Sequence, residues 1–321
     1  MDAPRAARGA PRTDLEEILQ GIRRELQRRD DAPTGGWIEA TARELTTGAR
    51  PGWYYPPSAG GALAFYARRG AEAYGHVHAG ESDGGSDRAF RLATAVLDGV
   101  PADVASANLG FTGLDSAGER ALARRLAERP GSTVIERSLM ERMLGPADGG
   151  PAPDAPPGVR GLPVREVTVD SLADLDHRAF GGTVDAYLVG AGLEGTRIAI
   201  ESMLDGRLGR FVDEASLALI ETDPVRLVGA VLTTEQTIRR AILVDLMVDP
   251  DRRRHGLGRY LVTWTFRALR ALGYESVRLW VTEANAPARA LYDGFGFRAV
   301  DAAAIYRWDR PGSSAQPHVA P

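Results

Sequence analysis

The stretch that most constrains this chain runs from Ala241 to Phe297. It opens on Ala241-Ile242-Leu243-Val244-Asp245-Leu246-Met247-Val248, an apolar run rich in β-branched residues that reads as a buried strand. Asp249-Pro250 ends it, because proline cannot donate to a strand ladder. Arg252-Arg253-Arg254-His255-Gly256-Leu257-Gly258-Arg259 follows. Leu261, Trp264, Thr265, Ala268, Leu269 and Leu272 then recur at helical spacing with one apolar face. A helix start presents unpaired N–H groups and the positive end of the macrodipole. Gly256 and Gly258 lack a Cβ, so the backbone there can approach a ligand and adopt dihedrals closed to other residues. With the neighbouring arginines this makes a seat for a phosphate or diphosphate. A glycine pair by itself is equally compatible with a plain strand-to-helix connection.

The pair is not alone. Val277-Arg278-Leu279-Trp280-Val281-Thr282 reads as the next strand, Asn285 as a helix N-cap and Pro287 as a first-turn proline. Ala288, Leu291 and Tyr292 follow on the short helix, and Gly296-Phe297 closes the segment. On these residues the chain resembles the GCN5-related N-acetyltransferase (GNAT) family. Arg253-Arg254-His255-Gly256-Leu257-Gly258 is similar to its acyl-CoA pyrophosphate loop, Arg/Gln-x-x-Gly-x-Gly/Ala. Asn285 to Phe297 is similar to its later Asn-x-x-Ala-x-x-Leu-Tyr-x-x-x-Gly-Phe segment.

The resemblance implies an α/β fold, an α+β arrangement on a mixed sheet, and direct acyl transfer from acetyl-CoA or another acyl-CoA to the primary amine of a small molecule. It implies a cofactor-binding set of Met247, Val248, Arg253, Arg254, His255, Gly256, Leu257, Gly258, Arg259, Asn285, Ala288 and Tyr292. In it the N–H of Met247 or Val248 would polarise the thioester carbonyl, and the Tyr292 phenol would protonate the leaving thiolate. Many family members carry a glutamate base six residues before the Val248 equivalent; here Ile242 stands there. Asp245 is the acid within the strand and is open to two readings, a catalytic base or a structural carboxylate. Glu283 and Glu221 are further candidates. A protein that keeps the fold and binds acyl-CoA as a sensor or scaffold, without turnover, is the alternative function.

Composition narrows the field. The 321 residues suffice for roughly two domains. A net charge of −4, with acids and bases interspersed, argues against nucleic acid as a partner. The absence of cysteine excludes disulfides, thiolate metal sites and a cysteine-linked acyl intermediate. No apolar run approaches membrane-spanning length, so the sequence predicts a cytoplasmic protein with no membrane partner, a monomer or homodimer. His76 and His78 share one strand face and could ligate zinc only if Glu81 or Asp83 joined them; no metal site is expected.

The proline- and glycine-rich run near Gly145 to Gly158 places a linker at 145–160. The predicted plan is a disordered start over 1–12, a first domain over 13–144, a catalytic domain over 161–309 and a flexible tail over 310–321. Val164 to Val169 is expected to open the second domain as a strand. Ala73 to Val77 aligns with Leu227 to Val231, and Arg120-Ala121-Leu122 with Arg289-Ala290-Leu291. The first domain therefore reads as a degenerate copy of the second without the loop, in an arrangement resembling the tandem GNAT layout of the mycothiol synthases.

Overall fold

The computed structural model describes residues 3–28, 37–80, 85–151, 153–189 and 192–312. Glu81, Asp83 and the tail beyond 312 lie outside the described residues. In chain order the elements are β1 (Arg5–Ala6), α1 (Arg12–Arg28), α2 (Trp37–Thr47), β2 (Gly52–Tyr54), β3 (Leu63–Arg69), β4 (Glu72–His78), α3 (Gly85–Gly99), β5 (Ser106–Thr112), α4 (Ser116–Leu126) and β6 (Ser132–Met143). Then come β7 (Val159–Pro163), α5 (Val169–Phe180), α6 (Gly192–Leu204), β8 (Arg210–Phe211), β9 (Leu217–Thr222), β10 (Val225–Thr237), β11 (Arg240–Val248), α7 (Leu257–Ala271), β12 (Ser276–Thr282), α8 (Ala286–Gly294) and β13 (Arg298–Asp309). Among the described residues no helix is long and apolar enough to cross a membrane.

Contacts divide the described residues into two units, one reaching to Arg137 and resuming at Asp301, the other Ser138–Val300. The first orders its strands β1-β2-β3-β4-β5-β13. Alternation along β3 sends Leu63 and Phe65 towards α1 and α2, and Ala64 and Tyr66 towards α3 and α4, so both sheet faces are covered. The second orders its strands β6-β12-β11-β10-β9-β7, with β8 pairing β10. Its α5 and α6 cover the face of Ala218, Ala230 and Met247, and α7 and α8 cover the face of Leu219, Val231 and Leu243.

Several expectations change. The chain start is not wholly disordered: Arg5 pairs with Tyr54, Ala6 with Trp53, and Ala7 is buried. The contact division falls inside β6, between Arg137 and Ser138, not in the proline-rich run. Met140 packs into the second core and Glu141 pairs with Arg278 at 3.1 Å, which takes the end of β6 into that unit. β13 leaves the second unit in the same way. Its Ala304, Tyr306 and Trp308 enter the first core, and it pairs antiparallel to β5 from Tyr306↔Leu109 to Asp309↔Ser106. The strand that opens the second unit's own elements is Val159–Pro163, within and just past the predicted linker; Val164–Glu166 is a 3-10 turn.

Apart from the two-residue β8, which has no counterpart in the first unit, the element order repeats: two helices, three strands, a helix, a strand, a helix. It sets β4 against β11 and α4 against α8. The pairing of Arg120 to Leu122 with Arg289 to Leu291 agrees with that order. The pairing of Ala73 to Val77 with Leu227 to Val231 is one strand out of step, because β10 is followed by β11 whereas β4 is followed directly by a helix.

Candidate active site

The second unit's site begins with an irregularity in β11. In the ladder with β10, Leu232 faces Asp245 and Thr233 faces Leu243, so Val244 is an extra residue, a β-bulge. The bulge shifts the phase of side-chain alternation. Ala241 and Leu243 lie in the core beneath α7, but so do Leu246 and Val248; Val244 and Met247 lie in the core beneath α5 and α6. Asp245, two residues before Met247, therefore shares the α5 face. An unbulged strand would have sent it to the α7 side with Leu243.

The bulge coincides with a parting of strands. β11 and β12 run parallel over only three residue pairs, Arg240↔Ser276 to Ile242↔Arg278. Beyond them the two strands no longer form a ladder with each other. The N–H of Asp249 donates to the Val228 carbonyl on the β10 side at 2.9 Å. By strand alternation Met247 N–H points the same way and Val248 N–H points into the opening. Of the two oxyanion candidates, only Val248 faces the parting.

The basic loop follows at once. Asp249 is buried, accepts from Asp251 N–H at 3.0 Å and is approached by Arg178 at 3.4 Å. Arg253 donates to the Ala179 carbonyl at the end of α5, and the His255 ring nitrogen sits 2.8 Å from the Arg253 carbonyl oxygen. Arg254 takes a positive φ of 65°, unusual for a residue with a Cβ. Gly256, at φ 83°, is the N-cap of α7, and a Cβ there would meet no protein atom within 4 Å. The first bond of the helix is Tyr260 N–H to the Gly256 carbonyl at 2.9 Å, so Leu257, Gly258 and Arg259 carry the orphan donors of the helix start. Gly258, in contrast to Gly256, has ordinary helical backbone. Its value is closeness, since a Cβ would lie 3.5 Å from Leu291 and 3.8 Å from Val248. Leu257 is buried and anchors the helix; Arg253, Arg254, His255 and Arg259 are exposed, with Arg259 over the Phe295 ring at 5.2 Å.

On the far side of the parting, Asn285 caps α8, its Oδ1 accepting from Ala288 N–H at 3.0 Å. Ala288 packs at the edge of the α7 core, and Tyr292 is buried in it, its ring edge-on to Phe297 at 5.6 Å. Glu283 pairs with Arg289, and Glu221 pairs with Arg226 and Arg252. Both weaker base candidates are thus bound in ion pairs.

Two acids that the motif reading passed over join Asp245. Asp176 lies on the buried face of α5 with Leu172, Leu175 and Ala179, and α5 packs on β11. The loop after α5 carries Asp185, which is 5% exposed and accepts from Asn285 Nδ2 at 2.5 Å; two residues on, Tyr187 OH meets Thr282 Oγ1 at 3.0 Å. Burial pushes the Asp176 carboxyl up to about 7. Burial, then the charge of Asp176, and to a smaller degree that of Asp185, hold the Asp245 carboxyl well above the usual carboxylate range, against a hydrogen bond from Leu246 N–H. At about 1.4 kcal/mol per pKa unit, holding Asp176 ionised at neutral pH costs the fold about 4 kcal/mol. An acid on an otherwise apolar helical face was the sequence signal for Asp176; Asp185 had none.

The histidines of β4 do something else. His76 Nε2 and His78 Nδ1 lie 2.8 Å and 3.0 Å from the Thr112 hydroxyl. Among the described residues no three His, Cys, Asp or Glu side chains form a group suited to a metal ion.

Comparisons with known proteins bear on the fold. Residues 189–297 match the profile of the Acetyltransferase (GNAT) family. A GCN5-related N-acetyltransferase from Sphaerobacter thermophilus superposes with a TM-score of 0.61 at 20% identity, covering 95% of this chain and 96% of that one. A tandem GNAT protein from the clavulanic acid biosynthesis pathway gives 0.58 at 16% identity, covering 97% and 98%. These likenesses show the fold, a mixed α/β architecture of GNAT-like topology. Among curated proteins, a mycothiol acetyltransferase of Propionibacterium freudenreichii is 27% identical over 59% of each chain. The ribosomal protein bS18-alanine N-acetyltransferase of Escherichia coli is 38% identical over 22% of this chain and 47% of its own. The matches thus span between about half and three fifths of these relatives' lengths.

Proposed function

We propose that this GNAT-family domain transfers an acetyl group from acetyl-CoA directly to the primary amine of a small-molecule acceptor. The observation that carries the reading is the parting of β11 from β12 beside a helix start whose first donors have no backbone partner among the described residues. The N–H groups of Leu257, Gly258 and Arg259, with the loop His255-Gly256, receive the diphosphate, and Arg253 and Arg254 add charge around it. The pantetheine arm then enters between the parted strands, past Ala288 and Asn285.

The chemistry has four movements. The thioester carbonyl oxygen accepts from Val248 N–H, which stabilises the charge that grows there. The acceptor ammonium loses a proton to the Asp176–Asp245 pair, whose burial raises both carboxyls above the usual carboxylate range and so makes them stronger proton acceptors. The freed nitrogen attacks the carbonyl carbon and the C–S bond breaks. The thiolate takes a proton from the Tyr292 phenol, and the second proton that the nitrogen sheds in becoming an amide restores the phenol through solvent. The pair stands in for the glutamate that Ile242 replaces. The two curated relatives bear acetyltransferase names with unlike acceptors, which supports the reaction and leaves the acceptor to chemistry.

The test is calorimetric titration with acetyl-CoA alongside thiol release with a panel of amines. Binding with release supports the reading. No binding of any CoA thioester overturns it, and binding without release for any amine favours the sensor.

A further inference from the structure

The second unit holds more buried carboxyl groups than removal of one proton requires. Asp176 and Asp245 lie between α5 and β11, while Asp185 is held towards the β12–α8 junction by Asn285, with Tyr187 fastening the same loop to Thr282. Asp185 is half satisfied: Oδ2 accepts from Asn285, but Oδ1 is buried and has no hydrogen-bond partner among the described residues. An orphaned carboxylate oxygen at that depth is costly unless a donor reaches it, and a cationic donor suits it best. An acceptor with one ammonium group spends that group on the reaction and leaves Oδ1 orphaned. An α-amino acid would bring a further carboxylate into the same acids.

We propose that the acceptor is a diamine or polyamine, whose second ammonium group donates to Asp185 Oδ1 while the nitrogen to be acetylated gives its proton to the Asp176–Asp245 pair. This deepens the transfer reading and rests on it. The second nitrogen keeps its proton throughout, so the product leaves as a monoacetylated cation. Asp185 is then a specificity residue, and its bond to Asn285 couples acceptor binding to the start of α8, the helix that carries Tyr292.

The test uses the full chain and two probes, diaminobutane and butylamine, titrated by calorimetry and assayed for thiol release from acetyl-CoA. The parent protein should bind diaminobutane about tenfold or more tighter than butylamine, and Asp185→Asn should bring the ratio down towards one. Equal affinity of the parent for both amines overturns the proposal without recourse to a variant. So does an undiminished preference in an Asp185→Asn protein whose acetyl-CoA affinity matches the parent. Preference for the diamine with no thiol release supports the Asp185 site and defeats the transfer reading. Release with both amines at equal kcat/KM supports transfer and defeats the diamine site.

Discussion

The two units use one order of elements, yet their central parallel strands behave in opposite ways. In the first, β4 and β5 pair over seven residues, Glu72↔Ser106 to His78↔Thr112. The β3–β4 register is one to one throughout, with no extra residue. Gly75 allows the tight seam, since a Cβ there would fall 2.4 Å from Leu109. Thr112, held by two histidines, fastens the far end. In the second, one extra residue, Val244, bends β11, and the parallel ladder stops after three pairs. A closed ladder spends its N–H groups on its neighbour; a parted one keeps them for a ligand. One inserted residue thus separates a closed seam from an open one, and the same residue turns Asp245 towards Asp176.

The largest expected effect breaks the acid pair of the parted unit. Asp245→Asn should lower kcat by about 10²–10⁴-fold with acetyl-CoA affinity retained, as read by steady-state kinetics and calorimetry. The same variant tests the electrostatics. Asp176 and Asp245 have folded pKa values above their unfolded ones, so the native state holds protons the unfolded chain has lost. Their contribution to stability is full below about pH 4 and falls as pH rises, that of Asp176 through about 7. Urea unfolding at about pH 5 and about pH 8 should show the parent losing stability with pH and Asp245→Asn losing less of it.

Next in size, Arg307→Met should strike the closed unit. Arg307 is 5% exposed and bonds Glu72 at 3.2 Å and Asp309 at 2.8 Å. Removing it leaves Glu72 buried and uncompensated, a loss of about 3–5 kcal/mol in urea unfolding. Acetyl-CoA affinity should stay within about twofold if the ligand belongs to the second unit alone. Gly258→Val should weaken acetyl-CoA by about 10–100-fold, because the added methyls meet Leu291 and Val248 where the helix start must stay open. Smallest of all, Thr112→Val removes the hydroxyl that two histidines share and should cost about 1 kcal/mol of stability. It should leave kcat/KM within about twofold; a larger loss of activity would mean that the seam of the first unit takes part in the reaction.

Much of this was legible before any coordinates. Asn285 caps its helix, Gly256 sits at the helix start in the left-handed region, and β3 and β4 form the expected hairpin. Each depends on neighbours within a few residues, which is the range over which caps, turns and periodicity act. The candidate base was not legible in the same way. Asp245 stood in the strand with two readings open. Its face depends on a bulge, which is defined only against β10, and its partners come from 60 to 70 residues upstream. The domain boundary failed for a related reason. A proline-rich run marks where the chain cannot hold regular structure, whereas a unit ends where strands find their pairs, and β6 and β13 find theirs in part beyond the expected limits.

By itself, then, the sequence determined the loop chemistry, the caps and the repeating order of elements, because these follow from the conformational preferences and periodicity of contiguous residues. Only the tertiary structure decided that Val244 is extra, that Val248 and not Met247 faces the parting, and that three aspartates from distant segments share one buried region. Those are properties of register and of dielectric, and both exist only once separate parts of the chain have come together.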